Sequence, residues 1–284
     1  MNSDNLLTTA QLNELIQTGH CTVVDCRFDF TFKNRGRSDW LAGHIPGAFY
    51  AHLDDDLAAP VVDHSGRHPL PSPSDFAHYL ASIGWSPGKL LVAYDAGSNA
   101  ISARLWWMMR YFGQPSALLD GGLAAWEEAG MPLESGETRV TASPIEHLVP
   151  IEPMAVSSGL IHDSLGTSEL AVLDARAAER FSGEVENLDS KAGHIPGALN
   201  RPFDDNLDER GRFHSPEFLK AQFVDALGDT APGRVVHSCG SGVTACHNLF
   251  AMERAGLGGS RLYPGSWSEW IRDPRRPVAN GAPD

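Results

Sequence analysis

The segment Gly43-His44-Ile45-Pro46-Gly47-Ala48 returns residue for residue as Gly193-His194-Ile195-Pro196-Gly197-Ala198, 150 positions further along the chain. The likeness spreads outward from this pair. Val23-Val24-Asp25-Cys26-Arg27 answers Val172-Leu173-Asp174-Ala175-Arg176, and Leu118 to Trp126 answers Leu262 to Trp270, with Gly121 and Trp126 matching Gly265 and Trp270. A period of that length is too long for a solenoid and is the length of a whole domain. Two copies of one domain also suit a chain of 284 residues, each long enough to bury its own core. Between the copies, Met131 to Glu152 is rich in Pro, Ser, Thr and Glu without a sustained apolar period, as in an exposed linker. A boundary near Ser143 gives domains over 1–142 and 143–284.

Within each copy, short runs rich in Val and Leu alternate with helical periods. In the second copy the runs are Ala171 to Leu173, Arg234 to His237 and Arg261 to Tyr263; the helical segments are Ser215 to Leu227 and Val243 to Ala255. Strands that alternate with helices predict an α/β class, a mostly parallel sheet with helices on both faces. A formal net charge of -14 argues against a broad grip on nucleic acid or an anionic membrane surface. No apolar run is long enough to span a bilayer, and Met1 to Thr9 has neither a basic start nor an apolar stretch, so a cytoplasmic address is expected. Cys21, Cys26, Cys239 and Cys246 are too few for a disulfide scaffold and read as free thiols.

One of the four stands apart. Val235-Val236-His237-Ser238 reads as the end of a buried strand. Cys239-Gly240-Ser241-Gly242-Val243-Thr244 follows as a glycine-punctuated loop, and Ala245 to Ala255 resumes with helical spacing. Cys239 therefore belongs at a strand-to-helix turn, at the carboxyl end of a parallel strand, where ligands bind in such sheets. The helix start offers unpaired N–H groups, and two glycines let the backbone curl so that several of them face one point. Such a nest lowers the pKa of a thiol below its ordinary value of about 8.5 and makes it a nucleophile near neutral pH. The remaining cysteines lack such loops and are expected to be packing residues.

These residues resemble the tandem rhodanese-like sulfurtransferases, and more narrowly their 3-mercaptopyruvate branch. The resemblance covers nearly the whole chain and is carried by the Cys239 to Ala245 loop, both Gly-His-Ile-Pro-Gly segments and Gly265-Ser266-Trp267-Ser268-Glu269-Trp270. It implies a sulfur donor of small-molecule size, a persulfide on Cys239, and a thiol, cyanide or thioredoxin-like acceptor, with no cofactor, and we expect a monomer. Only the C-terminal copy is implied to be catalytic: Tyr94-Asp95-Ala96-Gly97 aligns with Ser238-Cys239-Gly240-Ser241, so Asp95 stands where Cys239 does. The thiosulfate branch carries basic residues just after the cysteine, whereas Gly240 and Ser241 are neutral, which points to the mercaptopyruvate type. With Gly240, the loop residues Gly242, Val243 and Thr244 are the implied substrate cradle.

The resemblance further implies that Arg180 binds the donor's carboxylate, for which a guanidinium fork is suited. The family's second arginine lies nine residues on; that place holds Asp189, and Lys191 is the nearby substitute. A proton relay of Ser241, His68 in Arg67-His68-Pro69-Leu70-Pro71, and Asp54 is implied as well. His44 and His194, beside Pro and Gly, are expected to tie down a turn.

Rival readings fail on single positions. A cysteine-loop phosphatase needs an arginine six residues after the thiol, and that place is Ala245. Cys239, Cys246, His237 and His247 lack the CxxC spacing of a metal site, and no dinucleotide or phosphate-loop glycine motif appears. A thiosulfate-specific enzyme and a non-enzymatic docking or sensing module are the alternatives; turnover separates them.

Overall fold

The computed structural model describes residues 5–140, 142–145 and 148–282. Thr141, Glu146 and His147, within the expected linker, lie outside the described residues, as do the first four residues of the chain. By its internal packing the chain divides into two compact units. One comprises Met1–Ala59, Leu70–Ile151 and Glu209–Arg212, and the other Pro60–Pro69, Glu152–Asp208 and Phe213–Asp284. The ten residues Pro60–Pro69 thus pack with the second unit although they precede most of the first in sequence.

The first unit runs β1 (Leu6–Leu7), α1 (Thr9–Gln17), β2 (Cys21–Asp25), α2 (Arg35–Ala42), β3 (Phe49–Tyr50), α3 (Pro73–Ser82), β4 (Leu90–Tyr94), α4 (Ser102–Tyr111), β5 (Ser116–Leu119) and α5 (Gly122–Glu128). Its five strands pair in the order β1-β5-β4-β2-β3, all parallel. All five residues of Cys21–Asp25 are buried, as expected for a strand covered on both faces. Helix starts follow local chemistry: Thr8 and Gln11 form a reciprocal capping box, and Ser72 caps α3 ahead of Pro73.

The second unit repeats the plan with α6 (Ser158–Asp163), β6 (Ala171–Asp174), α7 (Ala178–Ser182), β7 (Leu199–Asn200), α8 (Pro216–Leu227), β8 (Val235–Ser238), α9 (Ala245–Arg254), β9 (Arg261–Leu262) and α10 (Ser266–Trp270). The sheet order is β7-β6-β8-β9, again parallel. Ala155 bridges Leu262 in the place that β1 takes beside β5. Helix α9 starts at Ala245, directly after the glycine loop; Val243 and Thr244, although they fit the helical period, are spent on the loop that turns out of β8. Each unit has its own core. Trp126, Tyr94 and Val92 anchor the first; Trp267, Trp270, Tyr263 and Phe181 anchor the second.

The duplication extends to buried charge. Arg27 grips Asp25 with Nε and Nη2 and spends Nη2 also on the Gly43 carbonyl; Arg176 does the same to Asp174 and to Gly193. His44 and His194 are buried, each with Nδ1 on a backbone carbonyl, of Trp40 at 2.8 Å and of Phe181 at 2.9 Å. They pin the ends of the repeated segment to the body of each unit.

Candidate active site

Strand β8 delivers Cys239 to the carboxyl edge of the second sheet, where the chain must turn into α9. The turn is held from below. Ser266 Oγ accepts from the Cys239 N–H at 3.1 Å and donates to the Tyr263 carbonyl at 2.9 Å, while the Trp267 and Ser268 N–H groups donate to the Cys239 and Gly240 carbonyls at 3.0 and 2.9 Å. Ser266 sits at φ 52°, a left-handed conformation uncommon for a side chain larger than glycine's and costly by about 1 kcal/mol or more. The matching position in the first unit is Gly122, at φ 54°. The second unit thus accepts strain to put a hydroxyl under its cysteine.

Cys239 is buried, and the Gly242 N–H points at its Sγ from 3.2 Å. Gly242 can do so because its φ is 74° and a Cβ there would run into the Pro264 carbonyl. Ser241, in the same loop, places Oγ 2.7 Å from Nδ1 of His68, which arrives on the Pro60–Pro69 segment and is itself buried. Asp54 lies in the first unit, where Lys33 donates to its carboxylate at 2.6 Å. Cys21 and Cys26 are poor nucleophiles: burial pushes the Cys21 thiol up to about 11, and burial with Asp25, Asp95 and Asp56 nearby holds Cys26 well above the ordinary thiol range. Cys246 points back at the Gly242 carbonyl, 3.4 Å away.

Over the outer side of the loop stand two guanidiniums. A Cβ built on Gly240 would lie 3.0 Å from Arg67 Nη2 and 3.7 and 3.8 Å from the two terminal nitrogens of Arg180. Asp189 bridges them, taking an ion pair from Arg67 Nη1 and another from Arg180 Nη2 at 3.3 Å. Glu186 takes both its oxygens to Arg180 Nη2, at 2.9 and 3.0 Å. Burial pushes the Asp189 carboxyl above its ordinary range even with the arginines beside it. At Glu186 burial acts the same way but is outweighed by the Leu188 and Asp189 N–H groups and by Arg180, and its carboxyl is held low. Behind them Arg176 lies over the Trp267 ring, 5.0 Å from its centre. Lys191 is exposed, and its contribution here is a carbonyl accepting the Trp267 indole N–H at 2.8 Å. Arg67 was in plain view next to His68; its signal was Asp189, a buried carboxylate that called for more than one cation.

The equivalent turn of the first unit is built to the same hydrogen-bond register: Leu123 and Ala124 donate to the Asp95 and Ala96 carbonyls. There the nest is already full. Asp95 Oδ1 accepts from the N–H groups of Gly97 and Asn99 at 3.1 and 2.9 Å, and Oδ2 from those of Ile101 and Ser102 at 2.9 and 3.3 Å. Burial still raises its carboxyl above the ordinary range against those four donors.

The rhodanese-like domain family matches residues 8–129 and again 159–273. The chain belongs to the rhodanese-like family. A Pseudomonas aeruginosa relative named as a probable 3-mercaptopyruvate sulfurtransferase is 45% identical over 284 residues, covering 99% of this chain and all of the relative. The 3-mercaptopyruvate sulfurtransferase of Escherichia coli K12 is 34% identical over 82% of each chain. Among solved structures, SseA of Escherichia coli superposes with a TM-score of 0.81 at 30% identity, over 94% of this chain and the whole of that one. This rhodanese-like chain is accordingly a sulfurtransferase enzyme, with a pair of parallel-sheet domains of one fold. Among the described residues no helix is long and apolar enough to cross a membrane, and no group of three or more His, Cys, Asp or Glu could hold a metal ion.

Proposed function

We propose that the chain moves sulfane sulfur from 3-mercaptopyruvate to a thiol, cyanide or thioredoxin-like acceptor through a persulfide on Cys239. The observation that carries this reading is a thiol held against the Gly242 N–H with two guanidiniums standing over the neighbouring Gly240. The Cys239 thiolate attacks the donor's sulfur; the carbon–sulfur bond breaks, its electron pair goes to carbon 3, and the donor's thiol proton ends on that carbon as pyruvate leaves. Ser241 and His68, 2.7 Å apart, offer the proton a path. The new terminal sulfur is anionic and takes the place beside the loop N–H groups that the thiolate favoured. An acceptor thiolate or cyanide then takes that sulfur and returns Cys239 as thiolate. Asp95 cannot carry sulfur, and its carboxylate occupies the first nest, so only the second unit is active.

A second reading has an observation of its own: two guanidiniums suit a dianion, and thiosulfate is one. Sulfur delivered to cyanide from each donor, measured side by side for the wild type and Cys239→Ser, tests both. We expect mercaptopyruvate to be preferred by kcat/KM and Cys239→Ser to abolish transfer from either donor. A preference for thiosulfate would make the second reading correct. No turnover with either donor would leave a docking or sensing module.

A further inference from the structure

We propose that a cavity of the first unit, beside the edge strand β3, binds a small organic ammonium, held by an unspent imidazole nitrogen and two carboxylates against an aromatic wall. The cavity has a volume of about 700 Å³, and every residue that lines it belongs to the first unit, from α2, β3, the stretch after β3, α3 and residues 137–140. That is the size of a small-molecule site, for which the usual range is about 300 to 1,000 Å³. None of the residues given a part in sulfur transfer lines it.

His52 decides what the ligand has to be. The residue is buried, and its Nε2 lies 3.1 Å from the Lys33 carbonyl oxygen, which can only accept. Nε2 therefore carries the proton of the neutral ring, and Nδ1 is left as an acceptor. That Nδ1 is buried and makes no hydrogen bond among the described residues; the Asp55 carboxylate, a second acceptor, stands 3.2 Å away. Asp56 is a third. It accepts the His52 N–H at 2.7 Å, meets no cation in an ion pair among the described residues, and burial pushes its carboxyl above the ordinary range. Acceptors gathered without a donor call for a group with several N–H bonds and a positive charge, and an ammonium has both.

The walls suit the same ligand. The Trp40 and Tyr50 rings stand 5.8 Å apart and those of Tyr50 and His52 6.2 Å, so aromatic rings continue from the acceptors into the cavity, where Phe49 and Tyr79 extend them. Of the two lining arginines, Arg37 is spent on Glu137 at 3.3 Å and Arg139 is exposed, so the charge met inside is that of Asp55 and Asp56. An ammonium on a body of one aromatic ring meets both the acceptors and the wall.

The test titrates the full chain with phenethylammonium and, separately, with phenethyl alcohol and phenylacetate. The readout is the Trp40 indole N–H in heteronuclear NMR, with Trp40→Phe to identify its signal. We expect the ammonium to move that signal along a saturable curve at least about tenfold tighter than the alcohol, the size of one charged hydrogen bond, and phenylacetate to leave it in place. His52→Phe and Asp56→Asn should each weaken the ammonium about tenfold, while Cys239→Ser binds it as the wild type does. A Trp40 signal that phenethylammonium does not move overturns the proposal, as does binding of the alcohol or of phenylacetate as tight as that of the ammonium. Undiminished binding in folded His52→Phe or Asp56→Asn, or binding lost in Cys239→Ser, overturns it too. The three probes on the wild type decide the question even where a variant does not fold.

Discussion

His237, on β8 two residues before Cys239, shows what burial does to a titratable group. Its Nε2 meets Ser260 Oγ at 3.1 Å, its Nδ1 has no partner, and burial, with Arg201 adding to it, pushes the pKa down to about 3. The unfolded chain takes up a proton near pH 6.5 that the folded chain refuses, so this residue's contribution is complete above that pH. It is lost progressively as pH falls toward 3, at about 1.4 kcal/mol per unit. We expect the stability difference between wild type and His237→Gln to shift by that slope between about pH 6 and pH 4 in urea unfolding. A difference independent of pH would mean that the imidazole is protonated in the fold. Asp95 shows the opposite geometry: four N–H donors converge on a buried carboxylate, and the first nest is filled by its own chain.

At the scale of elements, the turn between β8 and α9 decides the site, and Gly242 decides the turn. Alanine there must adopt φ 74° and drive its Cβ into the Pro264 carbonyl, a double penalty of at least about 2 kcal/mol. Gly242→Ala should therefore lower the unfolding midpoint and reduce sulfur transfer more than tenfold, because the N–H aimed at Sγ moves with the backbone. Gly197→Ala is the control. It has the same φ of 74° with open space around it, so it should cost only about 1 kcal/mol and leave transfer untouched. The glycine loop, the strand before it and the helix after it were legible in the sequence, since each has a local cause in composition and spacing. Val243 and Thr244 fit a helical period as well as the loop, and the hydrogen bond from Cys239 to Ser266 and the close approach of Gly242 to Pro264 are what the sequence did not show.

At the scale of the whole chain, duplication supplies a paired experiment. Breaking a buried ion pair by removing one partner costs about 3–5 kcal/mol. Asp25→Asn and Asp174→Asn should each destabilise by that order in thermal or urea unfolding. Only Asp174→Asn should also change the transfer kinetics of the folded enzyme, because Arg176 lies over Trp267, whose N–H supports the Cys239 carbonyl. Equal kinetic effects from both would contradict the division of labour. The repeat, the α/β class and the placing of Asp95 opposite Cys239, on which the proposed division of labour rests, were legible in the sequence alone, because identity and period are local properties. What only the tertiary structure decided is that Pro60–Pro69 packs with the second unit, which brings His68 to Ser241 and Arg67 to Asp189 across 173 and 122 positions. No spacing rule reports such meetings: they follow from which buried charges must find partners once the chain is folded.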